Sequence, residues 1–121
     1  MRDRSEFTLR RQRDFSQVYN KGKSRGSRFS VILYKRNGLE YTRTAFVASK
    51  KVGNSVERNR ARRLLRTAYR SMEASIASGY DIVFVARAAI SGHKENEVEK
   101  NLRKVLRESG LLIDRHNKNE K

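Results

Sequence analysis

One amphipathic segment, residues 50–70, constrains the fold of this chain more than any other. Eight of its 21 residues are Lys or Arg, and only Glu57 is acidic. Gly53 permits a tight turn, and Asn54 followed three positions later by Glu57 has the spacing of a helix capping box. The sequence therefore predicts a helix that begins after Asn54 and runs to about Met72.

The predicted helix has two chemically different faces. At 100° per residue its apolar side chains fall on one stripe, made of Ala61, Leu64, Leu65, Ala68 and Met72. The opposite arc carries Asn59, Arg62, Arg63, Arg66 and Arg70, with Arg58 and Arg60 beside the first turn. Six arginines and no lysine occupy residues 58–70, a composition that favours forked contacts with phosphate over an ordinary solvated helix face. The pattern predicts that one face packs on a core and the other binds an anionic polymer.

The positive charge of the chain is concentrated in its first part. The net charge is +16 over 121 residues. Residues 1–70 carry 20 Lys and Arg against 5 Asp and Glu, whereas residues 71–121 carry 9 against 8. A single-sign field of this size indicates nucleic-acid binding.

Several classes of function are disfavoured by what the sequence lacks. It contains no cysteine, which excludes disulfide partners and zinc–thiolate sites. No run approaches the ~20 apolar residues of a membrane span, and no signal-peptide core is recognisable, so we expect a cytoplasmic protein without a membrane partner. His93 and His116 lack spaced ligand partners, and the acids of residues 1–70 are scattered, so we expect no catalytic residue and no metal site.

The first half of the chain shows one more helix and two strands. Residues 11–21 have helical spacing, and residues 23–28 resemble a basic loop. Residues 28–36 alternate as a strand whose two faces are both partly apolar. Asn37-Gly38 is a strong hairpin signal, which predicts that residues 41–49 return beside that strand.

The second half of the chain adds a strand and a helix. Residues 80–87 form a continuous apolar run, typical of a buried central strand. Residues 94–109 have helical spacing, with inward positions Val98, Leu102, Val105 and Leu106. Residues 110–121 are expected to be frayed. The predicted order is α-β-β-α-β-α, an α+β fold.

Four aromatic residues belong to elements that we expect to pack together. These are Phe15, Tyr19, Tyr34 and Phe46. Aromatic rings beside cationic side chains suit a single-stranded nucleic acid, because bases stack while phosphates pair with the cations. Core packing is the alternative for some of the rings, and Tyr19 and Tyr34 are the best candidates for exposure.

Two stretches of the basic segment resemble a known family. One stretch reads Arg58-Asn59-Arg60-Ala61-Arg62-Arg63-Leu64-Leu65-Arg66, and it is preceded by Ser49-Lys50-Lys51-Val52-Gly53-Asn54-Ser55-Val56. Together they are similar to the signature of the protein subunit of bacterial ribonuclease P. Residues 14–22 resemble the first helix of that family, and residues 80–87 its central strand. The resemblance spans about residues 7–108.

The resemblance implies both a fold and a function. The fold is an α-β-β-α-β-α two-layer sandwich (ribosomal protein S5 domain 2-like). Its left-handed βαβ crossover departs from ordinary chirality. It would be a single RNA-binding domain over residues 1–121, with an ordered core of about 7–109 and flexible termini. The implied function is to bind the catalytic RNA and assist endonucleolytic removal of the 5′ leader from precursor tRNA. Magnesium would be held through the RNA, with no cofactor bound by the protein alone.

Site residues follow from the resemblance position by position. The positions implied to bind the RNA subunit are Arg58, Asn59, Arg60, Arg62, Arg63 and Arg66, with Arg70 continuing the same face. The positions implied to bind the precursor tRNA leader are Phe15, Tyr19, Tyr34 and Phe46, with Lys50 and Lys51 beside them. A ribosomal-type structural RNA-binding protein fits the charge and size equally well. A duplex DNA-binding module and an autonomous nuclease fit less well.

Overall fold

The computed structural model of the protein describes residues 7–113. It shows a four-stranded sheet with helices packed on both faces. The helices are α1 (Gln12–Lys21), α2 (Ser55–Arg70) and α3 (Glu95–Glu108). The strands are β1 (Lys23–Gly26), β2 (Ser30–Arg36), β3 (Arg43–Val47) and β4 (Tyr80–Ala86). The sheet order is β1-β2-β4-β3, so the apolar strand β4 is central, as its sequence predicts.

The predicted hairpin between β2 and β3 is wrong. β3 pairs in parallel with β4, and β4 lies between β3 and β2. The Asn37-Gly38 signal still marks a turn: Gly38 has φ 76°, and the Leu39 N–H donates to Asn37 Oδ1 at 2.8 Å. The turn residues specify a local chain reversal, but β4 occupies the edge of β2 that a hairpin would use. The parallel β3-α2-β4 unit agrees with the resemblance, and its handedness stays a prediction.

The prediction of a basic loop at residues 23–28 is also wrong in part. Lys23–Gly26 forms the edge strand β1, antiparallel to β2, with Lys23 opposite Tyr34 and Gly26 opposite Val31. All four residues of β1 are exposed. Without buried side chains the strand has no hydrophobic alternation, so the sequence carried no signal for it.

Two apolar clusters lie on the two faces of the sheet. The larger cluster packs α2 and α3 against Ile32, Ile82 and Phe84. It buries the whole predicted α2 stripe and the four predicted inward positions of α3. The smaller cluster on the opposite face joins α1 and the segment before it to the sheet, through Leu9, Val18, Ala45 and Val83. The packing of α2 and α3 on the sheet forms the main sandwich.

The chain remains packed beyond the end of α3. Leu111 and Leu112 are buried, and Leu112 forms an antiparallel bridge with Ile76. The core therefore extends past residue 109, where the sequence predicts fraying. Residues 1–6 and 114–121, which the same prediction includes as termini, lie outside the described residues.

The junction between α1 and β1 requires glycine because of close packing. Gly22 caps α1 with φ −82°, a conformation open to any residue. A Cβ at Gly22, however, would lie 2.5 Å from the Val18 carbonyl oxygen and 2.7 Å from that of Tyr34. The end of α1 is thus held directly against the backbone of β2.

A cluster of charged side chains joins the start of α1 to the starts of β3 and β4. Arg43 donates from Nη2 to Asp81 Oδ2 at 2.7 Å and from Nε to Asp81 Oδ1 at 2.9 Å. Arg43 Nη1 also lies 3.4 Å from Asp14 Oδ2, and Asn37 Nδ2 donates to Asp81 Oδ1 at 2.9 Å. The hydrogen bonding of Arg43 to the Asp81 carboxylate raises the pKa of the Arg43 guanidinium, against the opposing effect of burial.

Candidate nucleic-acid interface

Helix α2 begins where the sequence predicts. Asn54 Oδ1 accepts a hydrogen bond from the Glu57 N–H at 2.9 Å, and Glu57 Oε1 accepts one from the Asn54 N–H at 2.9 Å. This reciprocal pair confirms the predicted capping box. Gly53 has φ 147°, and a Cβ there would overlap the Glu57 side chain. Glycine is therefore required for the Glu57 carboxylate to reach the cap.

The six positions that the resemblance assigns to RNA-subunit binding lie on α2, and so does Arg70, which continues the same face. Arg63 and Arg70 are exposed, and Arg62 and Arg66 are half-buried. Among the described residues, none of the α2 arginines forms an ion pair with a carboxylate. We call this surface the arginine face. Its guanidinium charge is not neutralised within the described chain, which suits an anionic ligand.

Two arginines of the first α2 turns also hold neighbouring loops. Arg58 Nη1 donates to the Gly53 carbonyl oxygen at 3.2 Å, and Arg60 Nη2 donates to the His93 carbonyl oxygen at 2.7 Å. Arg60 thereby ties α2 to the loop before α3. Each guanidinium has five N–H donors, so several donors on each remain for a ligand.

A cavity of about 340 Å³ opens at the β3 edge of the sheet. Residues from three parts of the chain line it, including Phe7, Phe15, Phe46, Arg66 and Arg70. We call it the leader cavity, after the leader-binding role that the resemblance implies for Phe15 and Phe46. Arg66 and Arg70 belong to the arginine face as well, so the cationic surface continues into an aromatic recess.

The cavity residues Phe46 and Tyr69 pack against the buried ring of Phe84. Phe46 stacks on Phe84 with ring centroids 4.9 Å apart and planes 13° apart. The Arg66 guanidinium carbon lies 5.6 Å from the Phe46 ring centroid, within the range of a cation–π contact. Tyr69 packs beside Phe46 with ring centroids 6.0 Å apart. Phe46 is therefore partly a core residue and partly a cavity wall.

The structure brings together some of the predicted leader-binding residues. Phe15 and Phe46 line the same cavity. Tyr19 stacks on Phe15 at 6.5 Å between centroids and is 48% exposed. Lys50 and Lys51 are exposed in the turn that follows β3. The contact of these residues with a leader stays a prediction.

Tyr34 does not line the leader cavity, and it lies on the opposite face of the sheet from Phe15. Side chains along β2 alternate between the sheet faces, and Tyr34 packs against the cluster that contains α2 and α3. Its neighbour Leu33 packs against the α1 cluster instead. Because both faces of β2 are apolar, the alternation in the sequence does not show which residues face α1.

Tyr69 also lines the leader cavity, although the sequence prediction did not include it. Its ring is buried beside the stacked pair of Phe46 and Phe84, with centroids 6.0 Å and 5.3 Å away. It follows Leu65 by four residues, so it lies on the apolar stripe of α2. That helical spacing was a signal available in the sequence.

Comparison with known proteins identifies the family. The family model for ribonuclease P matches residues 4–110. The ribonuclease P protein component of Alkaliphilus metalliredigens is 40% identical over 108 residues, which cover 89% of this chain and 97% of that protein. The one from Caldanaerobacter subterraneus subsp. tengcongensis is 38% identical, covering 88% of this chain and 92% of that protein. The chain belongs to the ribonuclease P protein family.

Solved structures of ribonuclease P proteins have the same fold. The protein from Staphylococcus aureus superposes with a TM-score of 0.80 at 26% identity, covering 88% of this chain and 97% of that one. The protein from Thermotoga maritima gives a TM-score of 0.76 at 30% identity, covering 84% and 96%. The family resemblance drawn from the arginine signature is therefore confirmed, and so is the α+β fold. A role in tRNA 5′ processing follows from membership of this family.

The described part of the chain shows neither a metal-ligand cluster nor a membrane span. Between residues 7 and 113, no group of three or more His, Asp or Glu side chains lies close enough together to hold a metal ion. Over the same residues, no helix combines the length and the apolar character that crossing a bilayer requires.

Proposed function

We propose that this chain binds the catalytic RNA of ribonuclease P through the arginine face of α2 and holds the precursor tRNA leader in the leader cavity. The observation that carries this proposal is the continuity of the two surfaces. Arg66 and Arg70 line the leader cavity and also extend the row of arginines on α2. A leader held by this cavity would lie directly beside the RNA bound by α2.

The side chains suit the two tasks in different ways. The guanidinium groups of α2 can make forked contacts with phosphate oxygens, which need no particular base sequence. Phe15 and Tyr19 are stacked and partly exposed, so they offer ring faces to unpaired bases. This division would let one protein accept leaders of different sequence.

The bond cleavage is assigned to the RNA subunit in this proposal. Magnesium would be bound through that RNA, and the protein would position the leader and raise the affinity for precursor tRNA. The chain would act in the cytoplasm, where precursor tRNA is processed in bacteria. No residue of the chain is given a catalytic role.

The test is precursor tRNA cleavage at low magnesium, with a bacterial ribonuclease P RNA alone and with this protein added. We expect faster cleavage with a mature 5′ end, and no cleavage by the protein alone. Cleavage by the protein alone would contradict the assignment of catalysis to the RNA. Tight RNA binding without stimulation would favour a ribosomal-type structural RNA-binding protein.

A further inference from the structure

A small pocket lies between the first turns of α2 and the loop that precedes α3. Its volume is about 190 Å³, and we call it the loop pocket. Glu57, Arg60 and Ala61 line it from α2, and residues 90–92 line it from the loop. Ala61 and Ile90 are both buried. The loop pocket therefore combines two charged side chains of opposite sign with apolar side chains of the core.

Two hydrogen bonds hold the loop against α2 and the turn before it. Ser91 Oγ donates to the Val52 carbonyl oxygen at 3.1 Å, and Arg60 Nη2 donates to the His93 carbonyl oxygen at 2.7 Å. Gly92 has φ 82°, and a Cβ there would meet no atom within 4 Å. The walls of the loop pocket are thus fixed by hydrogen bonds, and the space beside Gly92 stays open.

Both charged side chains of the loop pocket keep hydrogen-bonding capacity for a ligand. Glu57 Oε1 accepts the Asn54 N–H in the capping box, whereas Glu57 Oε2 has no hydrogen-bond partner among residues 7–113. Arg60 uses Nη2 for the bond to His93, so other N–H donors of its guanidinium remain. Glu57 and Arg60 form no ion pair with each other. A free acceptor and free donors therefore line the same small pocket.

The charge of Glu57 indicates what kind of ligand the loop pocket suits. Glu57 is the only acid in residues 50–70, and it lies at the start of the arginine face. Its carboxylate repels phosphate oxygens, so a phosphate group is a poor ligand for the loop pocket. An uncharged ligand with donors and acceptors along one edge can satisfy Glu57 and Arg60 together. A nucleobase has such an edge, and its flat faces can pack on Ala61 and Ile90.

Guanine matches this set of donors and acceptors best among the four bases. Its Watson–Crick edge presents the N1–H and N2–H donors beside the O6 acceptor. Adenine and cytosine have a ring-nitrogen acceptor where guanine has N1–H, and uracil has one N–H donor on this edge. The edge is accessible only in an unpaired base, because base pairing occupies it and A-form helices hide base edges in a deep groove.

We propose that the loop pocket binds one unpaired guanine of the catalytic RNA. Glu57 Oε2 accepts hydrogen bonds from the guanine N1–H and N2–H, and Arg60 donates to O6. This inference rests on the proposed function, because it presumes that the arginine face binds that RNA. It adds a base-specific contact to the phosphate contacts of the arginine face, which are independent of sequence.

The affinity of Glu57→Gln for a bacterial ribonuclease P RNA separates base recognition from electrostatics by its sign. Glutamine supports a capping box as glutamate does, so its carbonyl oxygen keeps the Asn54 N–H and its NH2 group replaces Oε2. Donors of the protein then meet donors of guanine, and we expect affinity to fall about 5-fold to 150-fold. Electrostatics alone predicts the opposite, since the change removes a negative charge from the arginine face. Equal or tighter binding by Glu57→Gln would overturn the assignment.

The matched control is Glu95→Gln, which removes the same charge elsewhere. Glu95 is exposed in the first turn of α3 and does not line the loop pocket. This variant should bind the RNA at least as tightly as the unmodified protein. Thermal unfolding of both variants checks that they are folded. If Glu57→Gln and Glu95→Gln lose affinity equally, the loss is not specific to the loop pocket and the assignment is wrong.

Chemical probing of the RNA adds a test that needs no protein variant. Kethoxal reacts with N1 and N2 of unpaired guanine, so the unmodified protein should protect one guanine from it. The absence of any protected guanine would contradict the proposal. Inosine lacks the N2 amino group, and inosine at the protected position should weaken binding to the unmodified protein but have little further effect on Glu57→Gln. Equal losses with the two proteins would show that the guanine binds at another site.

Failure of this inference can be told apart from failure of the proposed function. If the unmodified protein neither binds the catalytic RNA nor accelerates precursor tRNA cleavage, the proposed function fails and the guanine contact fails with it. If binding and acceleration are present but no guanine is protected and Glu57→Gln binds normally, only the loop pocket assignment is overturned. Protection of an unpaired uracil at N3, without protection of guanine, would likewise refute the choice of base.

Discussion

Replacing Asp81 with alanine tests how the charged cluster at the start of β4 stabilises the fold. The Asp81 side chain is 8% exposed, and that of its partner Arg43 is 21% exposed. Asp81→Ala removes two hydrogen bonds from Arg43 and one from Asn37. Among residues 7–113, Asp14 alone would remain as an acidic partner of Arg43, at 3.4 Å.

The expected cost follows from the uncompensated guanidinium. Breaking a buried ion pair by removing one partner costs about 3–5 kcal/mol. Arg43 retains some exposure and the Asp14 carboxylate at 3.4 Å, so we expect a decrease of about 3 kcal/mol in the free energy of unfolding. Domains of this kind are stable by about 5–15 kcal/mol, so the decrease is a large part of the total.

The assay measures the free energy of unfolding of Asp81→Ala in urea, at neutral pH and a fixed anion concentration. A double-mutant cycle then combines Asp81→Ala with Arg43→Met. The cycle should give a coupling energy well above that of an exposed pair. Glu99→Ala is the matched control, because Glu99 and Arg103 form a pair with side chains 36% and 39% exposed, for which less than about 1 kcal/mol is expected. A destabilisation by Asp81→Ala no larger than that by Glu99→Ala would refute the reasoning.

Three other predictions concern packing and RNA binding. Gly22→Ala should destabilise the protein strongly, because the new Cβ would overlap two carbonyl oxygens. Gly26→Ala should be tolerated, because no atom would lie closer than 3.9 Å to its Cβ. Thermal unfolding should therefore give a lower melting temperature for Gly22→Ala than for Gly26→Ala. Arg62→Ala and Arg66→Ala should each flatten the dependence of log affinity for the catalytic RNA on log salt by up to about one unit, and titrations at several salt concentrations test this. Sulfate should raise the melting temperature more than chloride at equal ionic strength, because anions that bind only the folded state stabilise it; equal effects would indicate simple screening.

Local signals explain what the sequence predicted correctly. The Asn54–Glu57 capping box and the stripe through Leu64 and Leu65 specify α2 without help from distant residues. The apolar run at residues 80–87 likewise indicates a strand covered on both faces. The arginine face follows from the same helical spacing.

Long-range pairing explains what the sequence did not predict. Asn37-Gly38 specifies a turn, but the partner of β3 depends on β4, which lies over 30 residues further along the chain. The Arg43–Asp81 pair has the same character, since 38 residues separate its members. Neither interaction leaves a pattern within a short window of sequence.

The position of α2 between β3 and β4 explains why the two proposed RNA-binding surfaces meet. β3 is the edge strand of the sheet beside β4, and the α2 stripe packs on the face that Phe46 and Phe84 share. The last turns of α2 therefore lie over β3, where Arg66 contacts the Phe46 ring and Arg70 reaches the leader cavity. A β2–β3 hairpin, as the sequence suggested, would have given Phe46 different neighbours and separated the aromatic recess from the arginines. The parallel crossover is thus the feature of the fold that places stacking and phosphate-binding groups side by side.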